Sequence, residues 1–198
     1  MNYFAHGRDE IDNPERLAGT ALPDWLSAAN RGARLRRARL DDSDLAAGVR
    51  RHIDDDRWFH ASEAFLRTSA ELTGMIACER AWFWGHVLTE MLLDRFLIQR
   101  NPQRLDDYYA ALDDLDLVAI EARVRPWLTR PAARLGEYVD AFLHHRFLYG
   151  YDDDNGLTQR LHGLGRRVGL DATGIGAILP DASNLVESRV DDLMSAPC

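Results

Sequence analysis

Apolar residues crowd one stretch of this chain more densely than any other. From Glu79 to Arg100 the sequence reads ERAWFWGHVLTEMLLDRFLIQR. Trp82, Phe83, Trp84, Val87, Leu88, Met91, Leu92, Leu93, Phe96, Leu97 and Ile98 fall on nearly every side of a helical projection. The stretch has no proline, and a helix apolar all round is a buried central helix. His86, Glu90 and Asp94 interrupt it at steps of four, which sets them in one stripe. A buried imidazole or carboxylate is unfavourable unless something pairs with it. The stripe must therefore face an ion pair, a metal ion or a wet cleft.

The pattern elsewhere is also helical. Residues 1–13 read as extended, with Tyr3, Phe4 and Ala5 as a small apolar anchor. Asn13-Pro14 is a cap followed by proline at the first helical position, and Pro23 marks a break or a second start. The arginine-rich segment 30–40 is a connector. Asp41, Asp42 and Ser43 can cap a long helix through 44–72, with room for an interruption, and Gly74 ends it. After the central helix, Asn101-Pro102 starts a short helix holding Leu105, Tyr108, Tyr109 and Leu112. Further amphipathic helices are expected over 116–128, 132–150 and 157–168. Beyond Gly169 the chain turns Gly-, Pro- and Ser-rich, with at most one short helix near 182–194. No stretch alternates like a strand. The expected class is all-α, a bundle of about seven helices over residues 1–170, with 171–198 as a tail or short capping helix.

A second polar stripe precedes the central helix. His52, Asp56 and His60 are again four apart and share one face. HxxxDxxxH on one helix, then HxxxE on the next, is a ligand set for one or two divalent ions. Imidazole with carboxylate suits Mn, Fe or Zn, and bundles build metal sites from facing helices in this way. The same pattern also describes a solvated face with weak ion pairs, and the central stripe also describes Glu90 or Asp94 paired with an arginine. Arg51 and Arg57 flank the second stripe as candidates for holding a substrate phosphate, or as partners of Asp54 and Asp55. His144, His145 and His162 read as ordinary surface or core residues. Nucleotide-loop, serine-nucleophile and HExxH motifs are absent from the sequence. So are the paired ExxH motifs of di-iron bundles.

Composition narrows the partners. The chain has 198 residues, a formal net charge of −8, and arginine as its only cationic residue besides histidine. That balance argues against nucleic-acid binding. Cys78 and Cys198 form no CxxC, so no thiolate zinc site is indicated. MNYFAHGRDE lacks the basic-then-apolar pattern of a signal peptide, and the acidic stripe in the longest apolar run speaks against a membrane span. A cytoplasmic location is expected.

Four segments carry a family resemblance. MNYFAH is similar to MNFLAH, and GTALPDWL, with Asp24, to GNLL-x-DF. LAAGVRRHIDDD, with His52 and Asp56, is similar to V-x-GI-x-x-H-x-x-ID. Residues 151–167, YDDDNGLTQRLHGLGRR, are similar to a late Y-R-x-M-x-x-I-x-x-x-L-x-G-M-x-x-R stretch. All four belong to the bacterial acyl carrier protein phosphodiesterases, relatives of the HD-type metal phosphohydrolases, which this chain resembles over residues 1 to 167. The resemblance implies a metal site at His6, Asp24, His52 and Asp56. This chain has His60 where the family has a further Asp. It has His86, Glu90 and Met91 where the family has D-V-x-x-D-H. The added imidazole favours Zn or Fe over Mn.

The family's reaction hydrolyses the phosphodiester joining phosphopantetheine to a serine of acyl carrier protein. Such an acidic partner calls for a positive face, and the only basic cluster is Arg31, Arg34, Arg36, Arg37 and Arg39. The expected activity is thus a metal-dependent phosphohydrolase, a phosphodiesterase. Its ligands would be His6, Asp24, His52, Asp56, His60, His86 and Glu90, with Asp24 and Asp56 as the catalytic carboxylates. Seven ligands exceed what one ion needs, so either two ions bind or some members orient others or act as base. The rival expectation is a non-catalytic helical protein, with homo-oligomers possible in principle, whose polar stripe fixes packing.

Overall fold

The computed structural model describes residues 1–30 and 32–196, so Arg31 and Cys198 lie outside the described residues. Its elements are α1 (Tyr3–Gly7), α2 (Pro14–Ala29), α3 (Asp44–Ala61), α4 (Glu63–Met75), α5 (Ala81–Arg100), α6 (Pro102–Asp113), α7 (Leu117–Val124), α8 (Leu135–His144), α9 (Asp154–Val168), α10 (Ile175–Glu187) and α11 (Val190–Met194). Among the described residues there is no strand, only an isolated bridge between Leu35 and Leu128. The chain is all-α.

Among the described residues eleven α-helices stand where about seven helices are expected. Part of the excess comes from the long 44–72 pattern. It divides at Ser62, whose side chain caps α4 by accepting from the Phe65 N–H at 3.2 Å, a bond that ends one helix and starts the next. The N-terminal segment is a helical turn rather than extended, with all of Tyr3–Gly7 buried. Five residues are too few for a helical period to be legible, and burial decides their conformation. Pro23 does not break α2. Leu17, Leu22, Trp25 and Leu26 are at most 2% exposed, and that packing outweighs the roughly 3 kcal/mol a proline costs inside a helix.

The described residues form two compact units. One comprises Tyr3–Asp55 with Pro102–Phe147. Here α2 packs against α1, α6 and α8 over an aromatic core in which the Phe142 ring meets Tyr3 at 4.9 Å, Trp25 at 5.7 Å and Tyr109 at 5.8 Å between centroids. The backbones of α2 and α3 touch where Gly19 meets Gly48. A Cβ on Gly48 would stand 2.8 Å from the Gly19 Cα and collide with the Arg16 carbonyl oxygen. This crossing, which only two glycines permit, carries His52 onto α2. Gly48→Ala is therefore expected to destabilise the chain by about 1–3 kcal/mol through overpacking. Urea denaturation would measure it, and an unchanged midpoint would mean that the two helices are not in backbone contact.

The other unit comprises Met1–Asn2, Asp56–Asn101 and the chain from Leu148 onward. Its centre is α5, packed by α4, α10 and α11. Trp84, Leu88, Leu92 and Leu93 are fully buried. The first turn is not: Trp82 is 63% exposed, so the helix is apolar all round in sequence but enclosed only from Trp84 on. Arg95 ties α5 to the start of α9, donating to Asp154 at 2.6 Å and to the Asp152 carbonyl at 3.1 Å. The stretch after Gly169 carries α10 and α11. No helix among the described residues is long and apolar enough to cross a membrane.

Candidate functional site

Six of the seven expected ligands fall into two groups of three, one in each unit. In the first unit α1 supplies His6, α2 supplies Asp24 and α3 supplies His52, with one donor atom of each within 4.8 Å of the others. His6 is fully buried, His52 is 4% exposed and Asp24 is half-buried. The two imidazoles stack, with centroids 4.0 Å apart and planes inclined by 29°. His52 Nδ1 lies 2.8 Å from the Thr20 carbonyl oxygen. A carbonyl only accepts, so Nδ1 carries a proton, and in the neutral imidazole Nε2 is then the nitrogen with a lone pair. Metal-binding histidines are commonly held by such a bond, which fixes tautomer and ring plane. His6 Nδ1 is 3.6 Å from Asp55 Oδ2.

The second trio is His60 at the end of α3 with His86 and Glu90 one turn apart on α5, again within 4.8 Å. Both Nε2 atoms converge on Glu90 Oε1, at 2.8 Å from His60 and 3.3 Å from His86. The Phe65 ring packs against both imidazoles, 4.9 and 5.0 Å between centroids. The Met1 ammonium donates to the same Oε1 at 3.1 Å and to Asp56 Oδ1 at 2.9 Å. Burial pushes the Glu90 carboxyl upward, but the Met1 ammonium and the two imidazoles outweigh it and hold it well below the usual carboxylate range. The Met1 ammonium is opposed by burial, yet Glu90 and Asp56 raise it above its ordinary value. A cation thus already sits where these two carboxylates converge.

The remaining predicted residues are placed as follows. Asp56 falls in neither trio and is engaged with Met1. Arg51 directs its guanidinium at Glu10 at 2.6 Å, Asp9 at 3.3 Å and Asp55 at 3.5 Å. Arg57 is exposed on α3. Asp94 is fully buried on α5. Of the basic connector, Arg37 is paired with Asp54 at 2.8 Å.

Two participants escaped sequence reasoning. The Thr20 carbonyl is backbone and has no sequence signature. The Met1 ammonium reaches its carboxylates from 55 and 89 positions away, a separation no local pattern encodes.

Both trios are two imidazoles and one carboxylate. Three protein ligands leave coordination positions for water or substrate, the arrangement of catalytic rather than structural zinc sites, and the same donors suit Fe and Mn. The first trio fits an ion well: its carboxylate is half-buried, and one of its histidines is locked in the coordinating tautomer. The second fits on donor type, and the ammonium beside it is a stand-in positive charge. No protein-family model, no curated protein and no solved structure matches this chain.

Proposed function

We propose that the protein is a divalent-metal-dependent phosphohydrolase acting on a phosphodiester. The observation that carries this reading is the buried His6–Asp24–His52 trio, in which the Thr20 carbonyl holds His52 Nδ1 and directs Nε2, the other ring nitrogen, to be the one that would bind an ion. Two imidazoles buried against a carboxylate are hard to account for by packing alone, because polar groups lose hydration there. A bound Zn, Fe or Mn ion would supply Lewis acidity toward a phosphoryl oxygen and a water of pKa about 7. His6, His52 and Asp24 would hold it. His60, His86 and Glu90 would hold a second ion. The resemblance to acyl carrier protein phosphodiesterases suggests the substrate class, with acyl carrier protein itself as one candidate partner.

Metal content by mass spectrometry, on protein purified without chelator or nickel resin, tests the reading together with turnover of bis(p-nitrophenyl) phosphate. One or two equivalents of a transition metal, and turnover abolished by chelator and restored by Zn, Fe or Mn, are expected. Protein that stays metal-free after all three ions are offered would sink it. A specific observation favours one rival, a non-catalytic helical protein: Glu90, His60, His86, Met1 and Asp56 form a hydrogen-bonded network that closes without any ion.

A further inference from the structure

A third of this chain's 24 arginines lie in two short segments. The formal net charge is −8, yet residues 32–40 and 122–136 hold eight arginines and no carboxylate. Three of the eight are matched: Arg37 by Asp54, Arg123 by Glu15 and Arg134 by Glu137. Arg34, Arg36, Arg39, Arg125 and Arg130 have no carboxylate within ion-pair distance among the described residues.

The fold joins the two segments side by side. Leu35 and Leu128 form the bridge, the Arg36 N–H donates to the Trp127 carbonyl at 2.8 Å, and the Thr129 N–H donates to the Arg34 carbonyl at 2.9 Å. Guanidinium groups gathered without counter-charge repel one another and raise the free energy of the folded chain. A bound anion relieves that repulsion.

The second segment, with Glu121, lines a cleft of about 620 Å³, a volume typical of small-molecule sites. Arg125, Thr129 and Arg130 give it polar wall, and Val124, Leu128 and Leu135 give it apolar wall. Its one acidic wall residue, Glu121, accepts from the Gly136 N–H at 2.7 Å. Arg130 is held in position by a missing side chain. Gly32 has φ of 83°, and a Cβ there would stand 2.6 Å from Arg130 Nη2, so the guanidinium lies directly on the Gly32 backbone.

We propose that this cleft binds a small amphiphilic oxyanion, a phosphate monoester or a carboxylate carrying a short apolar body. Arg125 and Arg130 hold the headgroup, for which guanidinium is the best-matched side chain. The apolar body lies against Val124, Leu128 and Leu135. The site is independent of any metal.

Titration calorimetry with excess EDTA tests this on the full chain, using octyl phosphate, octanoate and inorganic phosphate as probes below their aggregation concentrations. Saturable binding of octyl phosphate or octanoate is expected, and the tighter of the two identifies the headgroup. Arg125→Ala/Arg130→Ala weakens it by about tenfold or more. Ala133→Trp, which fills the apolar wall, weakens the octyl ligands and leaves inorganic phosphate unchanged. Amide chemical shifts of the wild type, which need no variant to fold, move within residues 121–136. The absence of saturable binding, equal affinity in the double variant, or shifts confined to the histidine trios would each overturn the proposal.

Discussion

His52→Ala is expected to strip the ion from the His6–Asp24–His52 trio and to lower kcat/KM for a phosphodiester by more than about a hundredfold. That figure is the upper end of what losing a group that merely orients a metal ligand does, and His52 is proposed as a ligand itself. His52 is 4% exposed and its Nδ1 is bonded to Thr20, so the substitution also opens a small cavity and costs about 1–3 kcal/mol. Metal content and turnover must therefore be read on the folded fraction, checked by circular dichroism. His52→Asn separates the two effects. Its side-chain amide can still donate to the Thr20 carbonyl and preserve packing, but it offers no imidazole lone pair. Metal and activity lost with the fold intact would support the ligand role. Activity retained in folded His52→Asn would make His52 a packing residue.

Glu90→Ala is expected to destabilise the chain by about 3 kcal/mol in the presence of chelator, the lower end for breaking a buried charge pair. Glu90 is 16% exposed on its side chain, so some solvent screening remains. The loss is large because one oxygen satisfies three donors, His60, His86 and Met1. Without it the Met1 ammonium keeps only Asp56. The pH dependence follows from the sign of the shift. A carboxyl held low in the folded state stabilises it at pH above the ordinary glutamate value of about 4.3, and that stability fades as pH falls toward the folded value. Urea midpoints from pH 7 down to 3 should decline in the wild type more steeply than in Glu90→Ala. Parallel curves would show that Glu90 is not held by these three groups.

The two substitutions probe different units, so the proposed reading and its rival diverge. Under the metal reading His52→Ala removes activity and Glu90→Ala removes both an ion and stability. Under the packing reading both change stability alone.

Much of the site was visible in the chain. His52, His60, His86 and Glu90 stand out because steps of four on a helix put side chains on one face, and the family resemblance brought in His6 and Asp24. The grouping was not visible. One set of seven ligands becomes two trios, because α3 runs on past Asp55 and its last residues, with His60, pack with α5 while His52 packs with α2. A helical stripe fixes direction around an axis but not which neighbour it meets. The same limit hid the arginine cleft: the connector at 32–40 was legible as basic, but its pairing with residues 125–130 rests on a single bridge.

By itself the sequence determined the all-α class, the cap at Asn13, the burial of most of α5 and the identity of most residues in the two trios. These depend on local periodicity and side-chain chemistry, which the chain carries at every position. Only the tertiary structure decided that Gly19 and Gly48 bring two helices into backbone contact, that a carbonyl at Thr20 fixes the His52 tautomer, and that the Met1 ammonium meets Asp56 and Glu90. Each is a contact between residues far apart in sequence, set by how helices pack rather than by what any one helix contains.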